Sequence, residues 1–131
     1  METNRLYNIA EKSGIKVERF DLKQNGSVSV KSGQNLYVAL DNDIGGAKEK
    51  VCLAHEIGHC VTLSFYNIYS PLDVREKHEK RARNWAIKTL IPKTSFKTAL
   101  KKGYDNVYSL AEYFGVTADF MQEAVQYYLG A

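Results

Sequence analysis

The sequence predicts an α+β fold, and three observations carry that reading. Alternation of apolar and polar residues, the mark of half-buried strands, is confined to residues 15–40. From residue 47 to the end the apolar spacing is helical. Strands come first and helices after, the order of an α+β domain rather than of a βαβ repeat.

Residues 2–13 read as an amphipathic helix stopped by Gly14. Ile15-Lys16-Val17-Glu18-Arg19-Phe20 alternates as a strand, and Asn25-Gly26 is a tight-turn signal before Ser27-Val28-Ser29-Val30 alternates again. Those two strands are expected to form a hairpin. Ser32-Gly33 marks a second turn, and residues 35–40 give a third strand, completing a three-stranded antiparallel sheet. A loop over 41–46 leads into a long helix at 47–66. Pro71 breaks the chain, Asp73 can cap a helix over 74–91, and Pro92 ends it. Shorter helices follow at 94–101, 106–114 and 118–129, separated by Gly103 and Gly115-Val116-Thr117. One domain accommodates all 131 residues: helix plus sheet over 1–46, two long helices over 47–92, and a helical end over 93–131.

Composition is that of an ordinary globular chain, 44% hydrophobic and 25% charged. The polar N-terminus lacks the apolar stretch of a signal peptide. No apolar run approaches the ~20 residues of a membrane span. Cys52 and Cys60 sit eight apart on one helix; at ~1.5 Å per residue they stand about 12 Å apart, past the ~7 Å limit for a disulfide. Free thiols and the missing leader predict a cytoplasmic protein.

Ala54-His55-Glu56-Ile57-Gly58-His59-Cys60 contains H-E-x-x-H. Residues four apart share a helix face, so both imidazoles can reach one ion, and Glu56 beside them is placed to take a proton from an activated water. Leu53, Ile57, Cys60 and Val61 form the opposite stripe, suited to dock on the sheet. Gly58, costly in a helix interior, leaves room for another backbone to come close. Only three histidines occur in the chain, and two are in this motif. One Zn2+ per chain is the expected cofactor.

Zinc in a catalytic site takes a third protein ligand. Glu79 is the best candidate. It shares a helix face with Ala82, Arg83, Ala86, Ile87 and Leu90, an apolar stripe on which a carboxylate is costly unless it is paired or bound to metal. An i,i+4 pair with Arg83 is the plainer alternative. His78, about 100° round the helix, is the runner-up ligand. Cys52, one turn before His55, reads better as a small buried filler than as a thiolate ligand. Arg83, His78 or one of the nine tyrosines remains open as the donor to a developing oxyanion.

Three stretches together resemble the ImmA/IrrE-type metallopeptidases of mobile elements, phages and their host regulators. They are Leu36–Asp41 with Val51–Cys60; Glu79-Lys80-Arg81-Ala82-Arg83-Asn84-Trp85-Ala86 running to Thr89-Leu90-Ile91-Pro92; and Leu110-Ala111-Glu112-Tyr113-Phe114-Gly115-Val116-Thr117. The second matches the family's E-x-x-A-x-x-[FW]-A…L-[LIM]-P signature, except that Arg83 stands where Asn is frequent. The resemblance implies a small zincin-like domain and a gluzincin-like site with His55, His59 and Glu79 on zinc and Glu56 as base. It also implies the activity of a zinc metallo-endopeptidase that makes a site-specific cut in a repressor-like helix-turn-helix regulator.

Two other functions compete. In one, the metal is structural and the domain regulates by binding a protein. In the other, residues 106–129 act as a DNA-binding helix-turn-helix. Ala118–Leu129 carries Asp119 and Glu123 and no Lys or Arg, which argues against phosphate contacts. The cations lie elsewhere: residues 75–102 hold ten basic and two acidic groups, read as a solvated helix face able to attract an acidic partner.

Overall fold

A computed structural model describes residues 1–23, 26–67 and 69–130. Its elements run α1 (Thr3–Lys12), β1 (Ile15–Phe20), β2 (Ser27–Ser32), β3 (Asn35–Asp41), α2 (Gly46–Val61), α3 (Leu72–Leu90), α4 (Lys93–Lys101), α5 (Val107–Phe114) and α6 (Ala118–Leu129). The α+β class and the helical C-terminal part stand as the sequence predicts. The sheet differs in its pairing. Its order is β1-β3-β2, with β1 parallel to β3 and β2 antiparallel to it, so the sheet is mixed rather than antiparallel.

The expected β1–β2 hairpin does not form. The hairpin is β2–β3, closed by Gly33 and Gln34 between the paired Ser32 and Asn35. Gly33 has φ +63, the left-handed residue that a two-residue turn of right-handed twist requires. Asn25 of the other turn signal lies outside the described residues. β3 takes the central place because it is the strand whose core-facing residues, Val38 and Leu40, are fully apolar and fully buried.

The sheet's inner face lies on α2. Ile15, Val38 and Leu40 meet Leu53 and Ile57 in one core with Leu6 and Ala10 of α1. Val61, expected in the docking stripe, is instead 37% exposed at the end of the helix. An ionic network pins the start of α2: Arg19 donates to the carbonyls of Asp41 and Ile44 and to Glu49, which also accepts from Tyr7. Each capping residue of the last two helices accepts from a backbone N–H, Asn106 from Ser109 and Thr117 from Phe120. Leu110, Phe114, Val116, Phe120 and Ala124 are buried in the common core. The helix-turn-helix-like segment therefore spends its apolar faces on packing.

Two helix ends move. α2 stops at Val61, not residue 66, because the Thr62 hydroxyl donates to the Gly58 carbonyl and Leu63 turns left-handed at φ 51. α3 begins at Leu72, placing Asp73 in its first turn rather than at its cap. There the carboxylate meets the helix dipole without a capping hydrogen bond. Among the described residues no helix is long and apolar enough to cross a membrane.

Candidate metal centre

α2 and α3 cross at Gly58. That crossing brings the first half of α3 against the last turns of α2, and three side chains converge there. His55 Nε2 lies 3.1 Å from His59 Nε2. Glu79 Oε1 is 2.9 Å from His55 Nε2, and its other oxygen is 2.9 Å from His59 Nε2. All the ligand atoms fall within 4.8 Å of one another. Cys52 and Cys60 are both free and stand outside this cluster.

The hydrogen bonds around the cluster test whether a cation suits it. His59 Nδ1 is 2.6 Å from the Ser64 carbonyl. A carbonyl oxygen only accepts, so Nδ1 carries a proton; in the neutral ring the Nε2 lone pair faces His55 and Glu79, and in the charged ring Nε2 donates to Glu79. Lone pairs from three groups that face a common point need a positive charge between them. A donor set of two imidazoles and a carboxylate suits a borderline divalent ion. Fixing one imidazole through its second nitrogen is a common device of metal-binding histidines.

The same groups also shift each other's affinity for protons. Hydrogen bonds from His55 first and His59 second hold the Glu79 carboxyl well below the usual carboxylate range. Burial pulls the His59 imidazole down, but the hydrogen bonds to Glu79 and the Ser64 carbonyl outweigh it and raise it. Protons and metal ions compete for a cluster of this kind.

Glu56, 9% exposed, enters the same cleft from the α2 side. Its Oε2 accepts a hydrogen bond of 2.7 Å from the Ser27 hydroxyl on β2. Tyr66, in the segment after α2, donates to Glu79 Oε2 at 2.8 Å. Burial and the hydrogen bond to Glu79 both raise this phenol, so it stays a donor at neutral pH. The cleft holds about 340 Å³ between β2, the end of α2 and Tyr66. His55 and Glu79 keep 29% and 34% of their side-chain surface exposed and His59 only 7%, so the open side is that of His55 and Glu79.

A family model described as Peptidase_M78, IrrE N-terminal-like domain, matches residues 10–126. The chain belongs to that metallopeptidase family. Comparison with curated proteins gives no match.

Within this family frame, two residues singled out from the sequence sit away from the convergence. Arg83 reaches toward α6, its Nε 3.5 Å from Glu123, and pairs neither with Glu79 nor with the cleft. His78 stacks on Tyr66, with centroids 6.3 Å apart and planes 19° apart, and contributes no atom to the group of three. The i,i+4 pairing of Glu79 with Arg83 is likewise absent among the described residues, because Glu79 is committed to His55, His59 and Tyr66. Ser64 and Tyr66 carry no signature in the sequence. Ser64 acts through its backbone carbonyl, which no residue type announces. Ser27 had one usable sign, its phase: it alternates in step with Ser29 and opposite to Val28 and Val30. The structure turns the serines to α2 and leaves the valines 44% and 46% exposed.

Proposed function

We propose that the chain is a zinc-dependent endopeptidase that cuts an extended segment of a repressor-like, helix-turn-helix regulator in the cytoplasm. The observation that carries the catalytic part is the convergence of His55, His59 and Glu79 with Glu56 in the same open cleft. His55 and His59 Nε2 and the Glu79 carboxylate would hold the ion. Bound there, zinc supplies Lewis acidity to a water molecule and to the scissile carbonyl. Glu56 accepts the proton of the attacking water and returns it to the leaving nitrogen. Ser27 fixes the carboxylate for this transfer. The Tyr66 hydroxyl, on the cleft wall beside Glu79, is the donor best situated for the developing oxyanion.

Substrate alignment follows from the sheet. β3 is central and offers no edge, since both sides of that strand are paired. The edge beside the cleft is β2. The Gly26 carbonyl accepts from Asp41 N–H at 2.9 Å, which sets the phase of the ladder. Pairs alternate in an antiparallel ladder, so Ser27, Ser29 and Lys31 turn their N–H and C=O away from β3. An extended peptide can add there as a fourth strand and lie across the cleft.

The choice of a repressor-like target rests on the resemblance of the three sequence stretches described above. The test is cleavage of a repressor-like protein encoded beside this gene, with zinc, with chelator, and by Glu56→Gln. The variant should retain about one zinc and lose cleavage. Cleavage by zinc-loaded Glu56→Gln at the wild-type rate would refute the mechanism.

A further inference from the structure

The cleft continues beyond the three ligands. Tyr66 and Glu79 also form one wall of a second depression, about 540 Å³, whose other walls include Leu72, Arg75, Lys80 and Arg83. Lys80 and Arg83 in turn line a third, about 610 Å³, between α3 and α6, closed by Ile87, Glu123 and Tyr127. Through these shared wall residues the depressions follow one another along α3, in a trough that starts at Glu79.

Where it leaves the site the trough carries Arg75, Lys80 and Arg83 against Glu76 and Glu79. Among the described residues, neither Arg75 nor Lys80 has a carboxylate within ion-pair distance, and Arg83 has only the 3.5 Å contact with Glu123. Arg75 Nε is buried with no hydrogen-bond partner among the described residues. A buried donor left unpaired is costly, and it leaves the guanidinium without a partner that would hold it in place. Glu79 does not supply one; its oxygens are bonded to His55, His59 and Tyr66.

We propose that this trough is a substrate subsite for an acidic stretch of the polypeptide being cut, with Asp or Glu side chains seated on Arg75 and Lys80. The inference deepens the peptidase reading and rests on it for the identity of the occupant as a polypeptide. Two features favour a peptide over a nucleic acid. Glu76 and Glu123 break the cationic walls into separate patches, which suits carboxylates set among neutral side chains better than a charge at every phosphate. Leu72 and Ile87 offer apolar contacts between the charges, which suit mixed side chains.

The test uses the full chain carrying Glu56→Gln, so that nothing is cut, and fluorescein-labelled peptides read by anisotropy. Hexaglutamate should bind at least about tenfold more tightly than hexaglutamine, with an affinity that falls as salt rises. Arg75→Gln with Lys80→Gln should cost at least about tenfold in hexaglutamate affinity. Lys80→Glu alone, a change at an exposed position, should act in the same direction. Lys97→Gln with Lys101→Gln removes the same charge from α4 and should leave binding within about twofold.

Equal affinity for the two peptides would overturn the proposal. So would equal losses from the α3 and α4 pairs, or tighter binding of hexathymidylate than of hexaglutamate. Failure of the wild-type enzyme to cut any protein, with hexaglutamate binding intact, would remove the peptidase reading and leave the anionic subsite standing.

Discussion

A β-carbon on Gly58 would stand 2.6 Å from the carbonyl oxygen of Ala82. No real side chain tolerates that distance. The backbones of α2 and α3 touch at this point, one residue before His59 and three after Glu79. The missing side chain of one residue thus sets the separation of His59 and Glu79 on different helices.

Gly58→Ala is therefore expected to push α3 away. Overpacking of this kind costs about 1–3 kcal/mol, which exceeds the ~1 kcal/mol that alanine gains over glycine in a helix. Zinc content should fall with stability, because Glu79 moves with α3. Denaturant unfolding together with zinc per chain checks both, and an alanine variant of wild-type stability holding one zinc would show that the helices are free to separate.

Ser27 is the positioning residue for Glu56. Removing its hydroxyl in Ser27→Ala should lower kcat about tenfold while KM and zinc content hold. Ser27→Thr retains a hydroxyl and should restore most of the rate. Equal kcat for Ser27→Ala and wild type would mean that Glu56 is held by other means.

For Tyr66, the expected result of Tyr66→Phe is a kcat loss of about 10²–10³-fold, the usual range for removing one oxyanion donor. Zinc should remain bound. If the variant instead sheds zinc and its loaded fraction turns over normally, Tyr66 serves only to brace Glu79.

Lys50 gives a prediction in pH. Its ammonium is buried at 8% exposure and donates to the Phe114 carbonyl at 2.8 Å, tying α2 to the end of α5. Burial above all lowers its proton affinity in the folded chain. A lysine with a lowered folded pKa loses its proton in the folded state first. Between that pKa and the unfolded value of about 10.4, the unfolded chain binds more protons, so stability rises with pH. The unfolding free energy of wild type minus that of Lys50→Met should therefore grow from pH 8 toward 10.4. A flat difference would mean that Lys50 is as well solvated as any surface lysine.

Much of the candidate metal site was legible from residue types alone. His55 and His59 are tied by helix period, and Glu79 stood out as a carboxylate on the apolar face of the next helix. Gly58 announced a close backbone approach because nothing else justifies glycine in the middle of a helix. Strand order was not legible. The two-residue period of Ile15–Phe20 and Ser27–Ser32 is the same whichever neighbours they pair with, and a parallel partner leaves no mark on it. The second turn signal, at Gly33, was the one that joined neighbouring strands.

The sequence by itself determined the ingredients that act over one helical turn or one strand: the paired imidazoles, the adjacent carboxylate, the stops, and the α+β order. Those depend on local geometry, which the backbone repeats wherever it occurs. Tertiary structure alone decided which groups from distant segments meet them. Ser27 reaches Glu56 across 29 positions, and Tyr66 and the Ser64 carbonyl reach the ligands from a segment of no regular period. Arg83, equally plausible by spacing, turns instead to Glu123. Such contacts are fixed by how whole faces pack, and many sequences that share the local pattern would pack them differently.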